Sequence, residues 1–208
     1  MIAPLDHLVY AAPNLEEAVA ALEEQLGIRA AAGGRHPGEG TRNALIALGT
    51  DTYLEVVGPD PEAPPPPRPR WFGVDGLEAP RLTGWAVKGE DLEAIAATAW
   101  RAGVALGKVR KAGRMRPDGV ALSWTVTDPH TVLEDGLVPF FIDWGDSPHP
   151  AATAAPGASL ASLRAEHPAP PRLRALLAAI GVDLAVTDGP RPALIATLRT
   201  PKGLVELR

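Results

Sequence analysis

The chain repeats one supersecondary unit three times, and that restricts its fold more than any other feature. From Leu5, LDHLVYAAP alternates as a strand does; after Asn14, LEEAVAALEEQLG places apolar residues at helical spacing and stops at Gly27. Three strand-like runs follow, around Arg29–Ala32, Asn43–Leu48 and Thr52–Val57, divided by the glycine-rich GGRHPGEGT and by a turn at residues 49–51. This βαβββ unit occupies residues 4–58. The order recurs over 82–144, with LTGWAVKG, the helix DLEAIAATAWRAG, and strands near Lys108–Lys111, Val120–Thr127 and Val138–Trp144. A third copy over 159–208 opens with Ser159–Glu166, continues through PRLRALLAAIG, and closes with strands near Leu184–Val186, Ala193–Leu198 and Leu204–Leu207. His7, Gly84 and Ser162 stand 20, 19 and 19 residues before their helix-stopping glycines, so the copies share a register. The expected class is α+β, with the three units in one body, 1–208.

Residues 59–81 join the first two units. Their PDPEAPPPPRPR stretch lacks the donors a sheet ladder needs and reads as a stiff polyproline linker. Residues 145–158, which include GDSPHPAATAAPG, are expected to wrap over a surface.

Composition removes whole classes of chemistry. Without cysteine there is no disulfide, thiolate nucleophile, cysteine-bound zinc or iron–sulfur cluster, so any metal must be held by His, Asp or Glu. A formal net charge of -5 offers no field for a phosphate backbone, so nucleic acid is not an expected partner. Neither an 18-residue apolar stretch nor a signal-peptide start is present, so the expectation is a cytoplasmic protein without membrane attachment. No serine lies in a strand–elbow–helix context.

Two sets of residues carry candidate chemistry. The imidazole of His7 and the carboxylate of Glu55 suit a divalent metal with open positions; the alternative is a strand histidine and a rim carboxylate. The segment Gly33–Asn43 has four glycines among eleven residues and offers His36, Thr41 and Asn43 to a ligand, or is a glycine-rich hairpin. Trp85, Trp124 and Trp144 lie on expected strands, as core or as pocket wall. Trp144 is followed by Asp146 and His149 in a loop that could close over a cleft, while His130 and His167 sit beside prolines in expected surface turns.

The runs LDHLVYAAPNLEEAV, HPGEGTRN, TYLEVVG and PFFIDWGDSPHP resemble the glyoxalase-like domain proteins of the vicinal-oxygen-chelate superfamily. The resemblance implies curved antiparallel sheets that pair unit against unit around a cleft. It also implies a divalent metal (zinc, manganese, nickel or iron) bound by a first-strand His and a last-strand Glu. Residue by residue, His7 and Glu55 match those ligands, and Glu206 in GLVELR matches a second Glu. Gly84 and Ser162 stand where another first-strand ligand would be, and unit two ends in FFID rather than a Glu. The implied function is a metal-dependent lyase, isomerase or dioxygenase on an oxygen-rich small molecule, with Glu55 or Glu206 as ligand or catalytic base. The substrate would meet His36, Thr41, Asn43, Trp85, Trp144 and His149. A non-catalytic sequestering protein is the alternative, and a homodimer stays open.

Overall fold

A computed structural model describes residues 3–208. Strand β1 (Leu5–Ala11) leads into helix α1 (Leu15–Leu26), then β2 (Ala31–His36), β3 (Thr41–Ala47) and β4 (Tyr53–Pro59). Unit two comprises β5 (Arg81–Lys88), α2 (Leu92–Arg101), β6 (Arg110–Met115), β7 (Ala121–Val126) and β8 (Phe140–Asp143). The third comprises β9 (Ser159–His167), α3 (Pro170–Ala179), β10 (Ala185–Asp188), β11 (Ala193–Thr200) and β12 (Gly203–Leu207).

Local chemistry sets the helix ends. Asn14 caps α1 by accepting from the Glu16 and Glu17 backbone amides, and Gly27 ends it at φ 73°, a left-handed conformation that costs glycine nothing. Leu15, Ala18, Val19, Leu22 and Leu26 form its buried stripe. Asp91 caps α2, whereas α3 starts on Pro170, whose fixed φ suits a first turn.

The first two units close into one barrel, in the order β1-β4-β3-β2-β6-β7-β8-β5. Within each, the first and last strands run parallel (β1 with β4, β5 with β8); β1–β5 and β2–β6 join the units antiparallel. Period-two alternation then sorts side chains between wall and lumen. Leu8, Leu54, Val56, Trp85 and Val87 face outward into the large core beneath the helices and the third unit. Val9, Ala11 and Val57, with Ala86, Leu122, Trp124, Val126 and Ile142, face the interior.

The third unit keeps the element order but not the strand order. Its sheet runs β10-β9-β11-β12, with β10 parallel to β9, so its last strand is an edge rather than a neighbour of its first. It docks on the barrel's outer side, where the Leu82 amide donates to the Arg208 carbonyl at 2.8 Å. Other boundaries also shift. β4 carries through Pro59, and the glycine-rich segment is a hairpin, with Gly33–His36 in β2 and Thr41–Asn43 in β3. Among the described residues no helix is long and apolar enough to cross a membrane.

Candidate functional site

The barrel interior opens into a narrow cleft, polar on one side and apolar on the other. Unit one supplies His7 from β1, His36 from β2, Asn43 from β3, and Tyr53 and Glu55 from β4. Unit two supplies Arg114 from β6 and an apolar wall of Trp124, Val126, Phe140, Ile142 and Trp144. The connector closes one end. Its 3-10 segment Trp71–Gly76 inserts Trp71 and Phe72, the latter at φ 58°, a strained conformation for a bulky residue, packed between Trp71 and Phe140 at ring separations of 5.1 and 5.7 Å. Glu39 clasps that end, accepting from Arg68 of the connector, Arg110 of β6 and His130, each at 2.9 Å.

A β-bulge builds the centre. Leu5 pairs with Val87 and His7 with Ala86, so Asp6 is an extra residue on β1, and the two adjacent side chains meet instead of alternating. Asp6 is fully buried and receives three side chains: His7 Nδ1 at 2.6 Å, His149 Nε2 at 3.1 Å and Trp144 Nε1 at 3.2 Å. Burial would raise its carboxyl, but the bonds from His149 and His7 more than reverse this and hold it below the usual carboxylate range. An ionised Asp6 only accepts, so His7 Nδ1 carries the proton and Nε2 is turned to the cleft. The His7 ring stacks on Tyr53 at 4.7 Å. Burial first, then the Asp6 and Glu55 charges, push the Tyr53 phenol well above its ordinary value, so it stays neutral.

Glu55 faces His7. Its Oε2 is 3.7 Å from His7 Nε2, too far for a hydrogen bond but spanned by one intervening atom; its Oε1 accepts from Asn43 Nδ2 at 2.6 Å. The same amide donates to His36 Nε2 at 3.3 Å, leaving His36 Nδ1–H to donate to Thr41 Oγ1 at 3.0 Å, an oxygen that also accepts from Trp71 Nε1. Burial holds His36 down to about 4, with the Glu55 charge opposing, so the ring is neutral at neutral pH. Gly33 must be glycine, since a Cβ there would meet Asn43 Oδ1 at 2.1 Å.

The sequence-derived residues therefore separate into groups. His7, His36, Asn43, Glu55 and Trp144 line one cleft; Thr41 stands behind His36, and His149 reaches the site through Asp6. Trp85 does not line it. One residue out of phase with Ala86, it faces the outer core and donates to the Leu137 carbonyl at 3.0 Å. Glu206 lies on the exposed edge strand β12, paired with Arg164 and Arg208 at 3.2 and 2.9 Å, because the third sheet stands outside the barrel. His167 is buried rather than in a surface turn, and bonds Glu134 at 3.0 Å. Trp124 and Phe140 also line it, and Asp6, Tyr53, Trp71, Phe72 and Arg114 complete the site unforeseen.

This donor set does not fit a chelated metal. Among the described residues no three His, Asp or Glu side chains are grouped to hold one. Glu206 is elsewhere, His36 is committed to Asn43 and Thr41, and β8 presents Phe140 and Ile142 where a second carboxylate would be needed. The His7–Glu55 pair remains, short of the three protein donors usual even in open catalytic sites.

Residues 5–181 match the family described as a Glyoxalase-like domain. Among solved structures, a hypothetical protein from Staphylococcus aureus is similar at 14% identity, covering 99% of this chain and 84% of that one, with a TM-score of 0.64. A mutant 4-hydroxymandelate synthase from Streptomyces coelicolor is similar at 15% identity, over 99% of this chain and 61% of that one, with a TM-score of 0.54. Methylmalonyl-CoA epimerase from Mycobacterium tuberculosis, at 20% identity, covers 72% of this chain and 91% of its own, with a TM-score of 0.44. At these identities the first two show a shared fold. No curated protein matches the sequence significantly.

Proposed function

This chain belongs to the glyoxalase-like domain family of the vicinal-oxygen-chelate superfamily, and from that premise we propose that it is an enzyme moving a proton on a small oxygen-rich molecule held in the barrel cleft. The reaction class is isomerisation or elimination through removal of a C–H proton next to a carbonyl. The observation that carries this reading is the 3.7 Å gap between His7 Nε2 and Glu55 Oε2. A substrate atom there meets two proton-transfer groups at once, each pre-oriented by a buried partner: Asp6 for His7, Asn43 for Glu55. Glu55 takes the C–H proton and, as the carboxylic acid it then is, returns it to the neighbouring carbon or to the oxygen. His7 Nε2, its lone pair left open by the Nδ1–H bond to Asp6, accepts the proton of a substrate hydroxyl and gives it back when the carbonyl re-forms. The neutral His36 and Tyr53 hold the polar wall without adding charge, and the aromatic side excludes water.

The aromatic wall and the missing third metal donor support a second reading, sequestration without turnover. One experiment separates them. A panel of 2-oxo acids, 2-hydroxy acids and their esters is incubated with enzyme in D₂O and followed by proton NMR. The enzymatic reading expects deuterium uptake next to a carbonyl in at least one compound, lost in Glu55→Gln and unchanged after dialysis against EDTA. Binding without exchange across the panel supports sequestration. Exchange lost on chelation and restored by Zn²⁺ or Mn²⁺ would overturn the metal-free chemistry.

A further inference from the structure

Arg114 is the one charge in the cleft that the chemistry above leaves unused. It is 6% exposed, and Nη1 donates to the Gly33 carbonyl, exposed by the bulge between Ala32 and Gly34. Among the described residues no carboxylate lies within 4.0 Å of its guanidinium, although the chain pairs most of its other arginines, including Arg110 on the same strand face, with Glu39 at 2.9 Å. A mostly buried guanidinium with no carboxylate in salt-bridge range is costly to hold. It is satisfied when an anion enters, and a planar fork of donors suits a carboxylate.

The rest of the cleft fixes what accompanies that anion. Trp71, Phe72, Trp124, Phe140 and Trp144 line it with rings, and Trp124 packs on Trp144 at 5.1 Å, so this side is a continuous aromatic surface on which a flat apolar body can stack. Glu55 repels an anion at its own end. The two charges therefore orient a ligand, with its carboxylate toward Arg114 and its neutral, proton-bearing end toward Glu55. We propose that the ligand of this site is a compact monocarboxylate with a flat apolar body, bound through Arg114. This deepens the reading of the cleft as the substrate site, and it does not depend on proton transfer occurring there.

The test uses benzoate, its neutral isostere benzamide, and acetate as probes, titrated calorimetrically and by tryptophan fluorescence at neutral pH. Wild type is expected to bind benzoate at least about tenfold more tightly than benzamide, one charge-assisted hydrogen bond's difference, and more tightly than acetate. Arg114→Gln retains a donor for the Gly33 carbonyl and should lose about tenfold or more for benzoate while leaving benzamide within about twofold. Arg114→Lys should recover part of the loss. Equal affinity for benzoate and benzamide in wild type, no binding of either, or unchanged benzoate affinity in Arg114→Gln would overturn the proposal; the wild-type comparison alone can do so if the variants misfold. Glu55→Gln separates this result from the reading above. It should abolish deuterium exchange yet keep benzoate binding, and benzoate binding without exchange in wild type would sink proton transfer while leaving the anion site standing.

Discussion

Replacing Asp6 with Asn preserves shape and removes one acceptor oxygen, and its effect follows from the three donors that converge there. Oδ1 accepts from His7 Nδ1 at 2.6 Å and Oδ2 from His149 Nε2 at 3.1 Å, with Trp144 Nε1 within 3.3 Å of both. His149 cannot turn its lone pair inward, because the Ala151 amide already donates to its Nδ1 at 3.2 Å. With the amide nitrogen toward His149 an N–H faces an N–H; with it toward His7, the bond survives only if His7 moves its proton to Nε2, which closes the nitrogen that faces Glu55. Losing charge-assisted bonds and leaving a buried donor unpaired costs about 2–4 kcal/mol, or roughly 10 °C in Tm for a chain of this size. The pH dependence has a definite sign. The Asp6 carboxyl is lowered from an ordinary 3.8, so its contribution is complete above that value and is lost as pH falls below it. Urea unfolding of wild type and Asp6→Asn should therefore show a constant gap from about pH 8 to 5 that narrows only below about pH 4. A gap under about 0.5 kcal/mol at neutral pH, or one that widens in acid, would refute the hub.

Further expectations concern other parts of the structure. His36, held down to about 4 against an ordinary 6.5, binds its proton less readily folded than unfolded. Wild type should lose about 3 kcal/mol as pH falls from about 6.5 to 4, and His36→Gln should not show that loss in a pH series of unfolding curves. Gly136 has φ 86°, and a Cβ there would lie 2.0 Å from the Thr83 carbonyl oxygen, so Gly136→Ala should cost at least about 3 kcal/mol; calorimetry giving a near-normal Tm would contradict the tight packing of this turn on β5. Glu206→Gln, on the solvated edge strand, should leave Tm, probe binding and deuterium exchange unchanged.

Much of the fold was legible because the repeats are local. The helix stops at Gly27 and Gly181 and the cap at Asn14 announce units without tertiary information. The third sheet's strand order was not legible, since which strands pair is a long-range choice that element order does not encode. That is why Glu206 matched a last-strand position in sequence yet lies outside the barrel. His7 and Glu55 were legible as an imidazole and a carboxylate that match the ligand positions of the family the sequence resembles, and His36 and Asn43 through the glycine-rich segment that carries them. Asp6 was hidden by its bulge: strict alternation places it opposite His7, and only an extra residue on β1 brings the two together. Trp85 is the converse case, an aromatic whose face is settled by a single step of register. Arg114, in the glycine-interrupted RKAGRM, gives no sequence sign that its charge goes uncompensated, and Trp71 and Phe72 belong to a connector whose prolines drew attention to stiffness rather than to the rings that follow.

The central claim is that Asp6 presents His7 to the cleft with Nε2 open opposite Glu55, and the histidine tautomer measures this directly. Long-range ¹H–¹⁵N correlation NMR on protein with labelled histidine, assigned with His7→Gln, reports which ring nitrogen carries the proton. The expected spectrum at neutral pH shows a protonated Nδ1 on His7, and Asp6→Asn should release that preference. A His7 ring protonated at Nε2 alone in wild type would mean that Nδ1 makes no bond to Asp6 and that no open nitrogen faces Glu55, and the acid–base account of this cleft would fall.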